Sequence, residues 1–238
     1  MNKKFLSFMS ISLIFMLMTS VAVTTVAAFP NDAIRSKTFI TYVGDEIGEE
    51  YTDTYDVFEY SGIHWSEESF VTYIINTNGA PEGAVTEISE AFETWNYEIG
   101  DTLFSDDVEE TIIRVKGNGF DGKNVISWRR LRRGAIAMAT VWFNRYTLEI
   151  VEFGIVFNTA YTWGIDIDGK EGTEDDLVDA FDIQNIATHE AGHTLMLLDL
   201  YMPEACALTM YGYGAYGETY ARTLGTGDKN GIEFIYGS

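Results

Sequence analysis

The sequence predicts a single α+β domain behind an export signal. Short segments between positions 70 and 158 alternate or run apolar with β-branched and aromatic residues, which is typical of strands. Apolar residues from Val85 to Trp95 recur at spacings of three and four, which indicates an amphipathic helix. A second helix is expected to begin after Asp182, a favoured N-cap residue. The chain has 238 residues and is 46% hydrophobic, enough for one full core.

Residues 1–28 have the pattern of a secretory signal peptide. Two lysines are followed by an uncharged, mostly apolar stretch from Phe5 to Val26, and small residues precede Phe29. We therefore expect a secreted, extracellular protein. The apolar stretch is also long enough to span a bilayer. The alternative is that this segment is not cleaved and anchors the protein in a membrane.

The rest of the chain divides at about residue 64. Residues 29–63 are acidic and show a strand-like pattern only at Thr38–Val43, so they form either a short prosegment or extra strands. The main domain is expected at residues 64–238. Its predicted strands are Phe70–Asn76, Thr111–Lys116, Val125–Trp128, Ala135–Phe143 and Glu149–Asn158.

Charge and cysteine content exclude several classes of partner and linkage. The formal net charge of −22 argues against binding to nucleic acid or to an anionic membrane surface. The single cysteine, Cys206, excludes an internal disulfide and is expected to be a small buried hydrophobic residue. We expect a monomer.

The chemistry of the chain is concentrated at the pattern His-Glu-x-x-His, formed by His189, Glu190 and His193. Residues four apart lie on one face of a helix, so the two imidazoles can hold one metal ion. Neutral imidazoles with an open position suit zinc, and Glu190 is placed to take a proton from water. The alternative is an ordinary amphipathic helix with two polar histidines. Only three histidines occur in the chain, and two of them are in this pattern.

The wider pattern resembles that of the metzincin metalloproteases, whose motif continues with x-x-Gly-x-x-His or Asp. The resemblance implies Asp199 as the third zinc ligand and puts Met196 where glycine is usual. In the family that glycine ends the helix with a positive φ. Either the helix runs further here, or Met196 adopts a left-handed conformation that costs roughly 1–2 kcal/mol. Glu218 is the alternative third ligand, although its glycine-rich surroundings disfavour the helix that would position it.

The C-terminal part extends the resemblance. The stretch Ala207–Tyr211 is similar to the Met-turn, which implies that the Met210 thioether packs beneath the metal. Residues 222–237 resemble the closing helix of the matrixin-like branch. The implied fold is a twisted mixed sheet with two helices, then a small C-terminal part with the Met-turn and a last helix. In the family a Pro-x-Tyr segment after the Met-turn shapes the substrate pocket, and Gly212-Tyr213-Gly214 stands in its place here. We therefore expect a different pocket wall, with Tyr211 and Tyr213 as its candidate residues.

The resemblance also assigns a role to the strand Ala135–Phe143. In the family, the corresponding strand is the antiparallel edge of the sheet above the cleft. An extended substrate pairs with it there through main-chain hydrogen bonds.

An acidic loop begins at Asp166 and offers a possible second metal site. Asp166 and Asp168 are candidate calcium ligands, but Lys170 and Glu171 break the EF-hand pattern. The alternative is a solvated run of charge.

These patterns together predict a secreted zinc endopeptidase that acts on polypeptide substrates. Zinc would activate a water, with Glu190 as general base. A secreted, metal-stabilised binding protein with the same fold but no turnover is the alternative. The substitution at Met196 favours that alternative, and the intact Glu190 counts against it.

Overall fold

The computed structural model describes residues 32–44, 53–113, 119–166 and 177–237. Within these ranges the fold is α+β, with a mixed seven-stranded sheet, a two-stranded sheet and three α-helices. The strands are β1 Ile34–Val43, β2 Ile74–Asn76, β3 Glu109–Thr111, β4 Val125–Arg129, β5 Ala135–Asn144, β6 Ile150–Asn158, β7 Trp163–Gly164, β8 Phe181–Asp182 and β9 Tyr213–Gly214. The helices are α1 Ala84–Ile99, α2 Ile183–Thr194 and α3 Thr226–Tyr236.

The large sheet has the strand order β3-β2-β4-β6-β5-β1-β9. Strands β3, β2, β4 and β6 are parallel to one another, whereas β5 is antiparallel to both β6 and β1. Strand β9 pairs in parallel with the far side of β1. The smaller sheet consists of β7 and β8.

The sequence located most of these strands. Strands β4, β5 and β6 lie within a residue of their predicted ends. The predicted strand Phe70–Asn76 is shorter, because Val71 exchanges backbone hydrogen bonds with Leu103 and Ser105 instead of joining the large sheet. Strand β3 ends at Thr111, where the predicted strand Thr111–Lys116 was expected to begin, and residues 114–116 lie outside the described residues.

The position of β1 corrects one expectation. Strand β5 is antiparallel, but it is not the edge of the sheet, because β1 pairs along it from Ile34 opposite Asn144 to Tyr42 opposite Ala135. The residues Ile34–Val43, which precede the predicted main domain, are therefore built into its sheet. Farther along the chain, Tyr60 forms a bridge with Leu197, just beyond the end of α2.

Helices α1 and α2 pack together within the main hydrophobic core. In the predicted stripe on α1, Ile88, Phe92 and Trp95 are buried and Val85 is partly buried. The Trp95 indole donates a hydrogen bond to the carbonyl of Thr188 in α2, at 2.8 Å. This contact fixes the position of α2 against α1 and so positions the residues that α2 carries.

No helix in the described ranges has the length and hydrophobicity needed to cross a bilayer. The predicted signal segment, residues 1–28, lies outside those ranges.

Candidate metal centre

Helix α2 carries His189, Glu190 and His193 and begins as predicted. The Asp182 carboxylate caps it by accepting a hydrogen bond from the Asn185 N–H at 2.8 Å. The two imidazoles lie next to each other, with ring centroids 4.7 Å apart and planes nearly perpendicular. All three side chains are buried. The helix therefore presents both histidines and the glutamate to one shielded region.

The end of α2 answers the question raised by Met196. The helix stops at Thr194, and Met196 is left-handed with a φ of 63°. The Leu197 N–H bonds the Gly192 carbonyl and the Met196 N–H bonds the His193 carbonyl, which is the Schellman pattern of helix ends. The chain thus turns as it would with glycine, and a fully buried methionine takes the strained position.

This turn brings Asp199 back to the histidines. Its Oδ1 lies 3.4 Å from His189 Nε2 and 3.2 Å from His193 Nε2. One ligand atom from each residue can be chosen so that all lie within 4.8 Å of one another, a spacing that can hold a metal ion. Glu218 lies elsewhere and accepts hydrogen bonds from the Ala215 N–H and the Tyr220 hydroxyl.

Hydrogen bonds at the far side of each ring fix the histidine tautomers. His189 Nδ1 lies 2.6 Å from the Thr209 carbonyl, and His193 Nδ1 lies 2.9 Å from the Leu197 carbonyl. A carbonyl only accepts, so in the neutral imidazoles each Nδ1 carries the proton and each Nε2 keeps its lone pair on the side of Asp199. Metal-bound histidines in proteins are commonly oriented in this way.

The converging atoms have no other polar partner in the described structure. His189 Nε2, His193 Nε2 and Asp199 Oδ1 are all buried, and none makes a hydrogen bond. Buried polar atoms are nearly always hydrogen-bonded, so each such group requires an explanation. A cation between them would satisfy all three, and two imidazoles with one carboxylate are a donor set that zinc accepts.

The electrostatics of the group reflect its burial and mutual attraction. Burial opposes charge on Asp199, but the two imidazoles outweigh it and hold the pKa of this carboxyl well below its usual range. Burial likewise lowers the pKa of His189, but Asp199 and Glu190 more than offset this and raise it. Burial raises the pKa of Glu190, although the neighbouring imidazoles oppose the change. The site therefore favours a positive charge beside Asp199.

Met210 lies in a turn that packs directly on α2. A side chain at Gly192 would meet the Met210 sulfur, since an added Cβ would lie 2.3 Å from Sδ. The Asp228 carboxylate holds the turn by accepting from the N–H groups of Thr209 and Met210, at 2.8 and 3.1 Å. The Thr209 carbonyl in the same turn orients His189, so Asp228 and the turn together position a candidate ligand.

Strand β1 supplies two contacts to the site that sequence reasoning missed. The Thr41 hydroxyl donates to Glu190 Oε1 at 2.6 Å. The Phe39 ring stacks on His193, with centroids 4.1 Å apart and planes within 6° of parallel. The strand-like pattern at Thr38–Val43 was the only available signal, and it did not indicate which strand would be the partner.

The remaining candidates are the predicted pocket residues and the predicted calcium ligands. Tyr211 and Tyr213 line a narrow cavity that also contains His189 and Thr41. Asp166 is buried in a separate group, where the Arg222 guanidinium donates to its backbone carbonyl at 2.8 Å and also pairs with Asp182. Asp168 lies outside the described residues.

Neither a scan against protein-family models nor a search of curated proteins finds a match to this chain.

Proposed function

We propose that this chain is a zinc-dependent endopeptidase of the metzincin type, with His189, His193 and Asp199 as the metal ligands. One observation carries the proposal: three buried ligand atoms converge without hydrogen-bond partners, with a buried glutamate beside them. Structural zinc sites are closed by four protein ligands, whereas catalytic sites have three and leave one position open. The described residues bring only three together.

Each residue has a definite task in this proposal. When bound, zinc would supply a Lewis acid that polarises the scissile carbonyl and lowers the pKa of water at the open position. Glu190 takes a proton from the attacking water and delivers it to the leaving amine. The Thr209 and Leu197 carbonyls keep both imidazoles in the ligating tautomer.

A binding protein with this fold and no turnover is the second candidate. The contact between Thr41 and Glu190 favours it, because the carboxylate needed as a base is hydrogen-bonded to the protein's own strand. A buried glutamate beside the ligands favours the enzyme, because a purely structural metal site has no need of a base. Secretion, directed by residues 1–28, belongs to the proposal, and an uncleaved segment would make the protein membrane-anchored.

The test combines metal content with cleavage of an unfolded protein. Because β1 lies over the site, the assay uses a variant with a recognition sequence for an unrelated protease inserted between positions 45 and 52. This variant is cut there before the assay, so that β1 can leave the site. We expect one zinc per chain and cleavage that a zinc chelator abolishes. Glu190→Gln should keep the zinc and lose at least about 100-fold in turnover, since general base catalysis contributes roughly 10²–10⁴. A loss of no more than about tenfold would remove Glu190 from its role.

A further inference from the structure

Strand β1 occupies the side of β5 that faces away from the rest of the sheet. It pairs antiparallel with β5 from Ile34 to Tyr42, with one irregularity between Thr41 and Tyr42. Without β1, the backbone N–H and C=O groups on this side of β5 would form an open edge, which is a template for any extended peptide. The chain has therefore filled its own peptide-binding edge.

The opposite side of β1 is held by the segment that follows the Met210 turn. The Tyr42 N–H donates to the Gly212 carbonyl at 3.2 Å, and the Gly44 N–H donates to the Gly214 carbonyl at 3.0 Å. At its C-terminal end, from Tyr42 to Gly44, the strand thus lies in a slot between β5 and β9, with main-chain hydrogen bonds on both sides. An extended polypeptide that entered this slot would be held in the same way.

The buried side chains of β1 lie against residues of the candidate metal centre. Alternate residues of a strand share a face, and Phe39 and Thr41 are both buried, with the intervening Ile40 only partly so. Phe39 covers the His193 ring and Thr41 is bonded to the Glu190 carboxylate. The peptide bond of a substrate would have to lie beside the same Glu190 carboxylate and the same imidazoles. Substrate and β1 therefore exclude each other.

We propose that β1 is a built-in inhibitory strand that keeps this site latent until the chain is cut after it. The inference rests on the proposed peptidase function and concerns the regulation of the same site. The covalent connection explains why the block persists. A tethered strand competes at an effective concentration of about millimolar, whereas a cut strand must rebind from solution.

The experiment uses the zinc-loaded full chain with the recognition sequence inserted between positions 45 and 52. Its cleavage of an unfolded protein is measured before and after the chain is cut. A chain with a scrambled recognition sequence, treated with the same protease, is the matched control. We expect the cut to raise cleavage of an unfolded protein at least tenfold while the zinc content stays constant. A synthetic peptide of residues 32–44 should bind the cut protein and inhibit it again. The same peptide with Phe39→Ala and Thr41→Val should bind at least tenfold more weakly.

A second variant tests the inference without any cut. In the uncut chain, Phe39→Ala combined with Thr41→Val weakens the block and should raise basal cleavage several-fold. Ser36→Ala, at an exposed position of the same strand, is the control and should change nothing.

The possible results separate the two proposals. Equal activity of the uncut and cut chains would overturn the inhibitory role and leave the peptidase function standing. Loss of zinc or of the fold on departure of the strand, with no gain in the uncut double variant, would make β1 a structural strand and also overturn the inference. Zinc in both forms, rebinding of the peptide and no cleavage by either would refute the peptidase function itself.

Discussion

Replacing Met196 by glycine tests how this chain stabilises a left-handed methionine at the end of α2, where glycine is the common residue. Met196 sits at a φ of 63° and is 0% exposed. Glycine would relieve the left-handed strain, which is worth roughly 1–2 kcal/mol. It would also remove a fully buried side chain, and shortening a buried methionine to alanine typically costs about 2–5 kcal/mol. We therefore expect Met196→Gly to lower the free energy of unfolding by about 2 kcal/mol, the difference between the middles of these two ranges.

The measurement is urea unfolding of the metal-free protein, because bound zinc would add its own stabilisation to the folded state. Met196→Ala is the matched control: it loses the side chain but keeps the strain, so it should be less stable than Met196→Gly by about 1 kcal/mol. A glycine variant at least as stable as the natural protein would refute the reasoning, because the buried methionine side chain would then contribute no more than the strain costs.

Three further predictions concern the metal sites. Asp199→Ala should abolish zinc retention in equilibrium dialysis. Glu218→Ala should retain zinc, although it loses the hydrogen bonds from the Ala215 N–H and the Tyr220 hydroxyl. The reverse result would make Glu218 the ligand. Met210→Leu conserves volume and should cost less than about 1.5 kcal/mol in unfolding free energy with zinc still bound. Loss of zinc from the folded variant would contradict the packing role of Met210. If the acidic loop binds calcium, the ion should raise the Tm of the zinc-loaded protein and Asp168→Ala should remove most of that rise. No calcium effect would leave the loop a solvated run of charge.

Local rules account for the parts of the site that could be predicted from sequence. The spacing of His189 and His193 places them together on any helix, and Asp182 marks where that helix begins. No local rule sets the path to Asp199, because the sequence alone leaves open whether Met196 extends the helix or ends it. Its left-handed conformation depends on the packing of its buried side chain and on the Schellman hydrogen bonds, which are tertiary and backbone effects.

Long-range pairing limited what the sequence could predict elsewhere. The contact from Thr41 to Glu190 joins residues 149 positions apart. The alternation at Thr38–Val43 indicates a strand, but strand pattern does not specify the neighbour, so the edge of β5 was expected to be free. The shortened β2 has a similar cause, since the contacts of Val71 with Leu103 and Ser105 are specified by the fold and not by local composition.

The central claim is that His189, His193 and Asp199 hold one zinc ion, and anomalous X-ray diffraction at the zinc absorption edge tests it most directly. A crystal of the zinc-loaded protein should show one peak between His189 Nε2, His193 Nε2 and Asp199 Oδ1. Distances should be about 2.0–2.1 Å to the nitrogens and about 2.0–2.2 Å to the oxygen. A peak at Glu218 without Asp199, or no peak at this place in fully loaded protein, would contradict the claim.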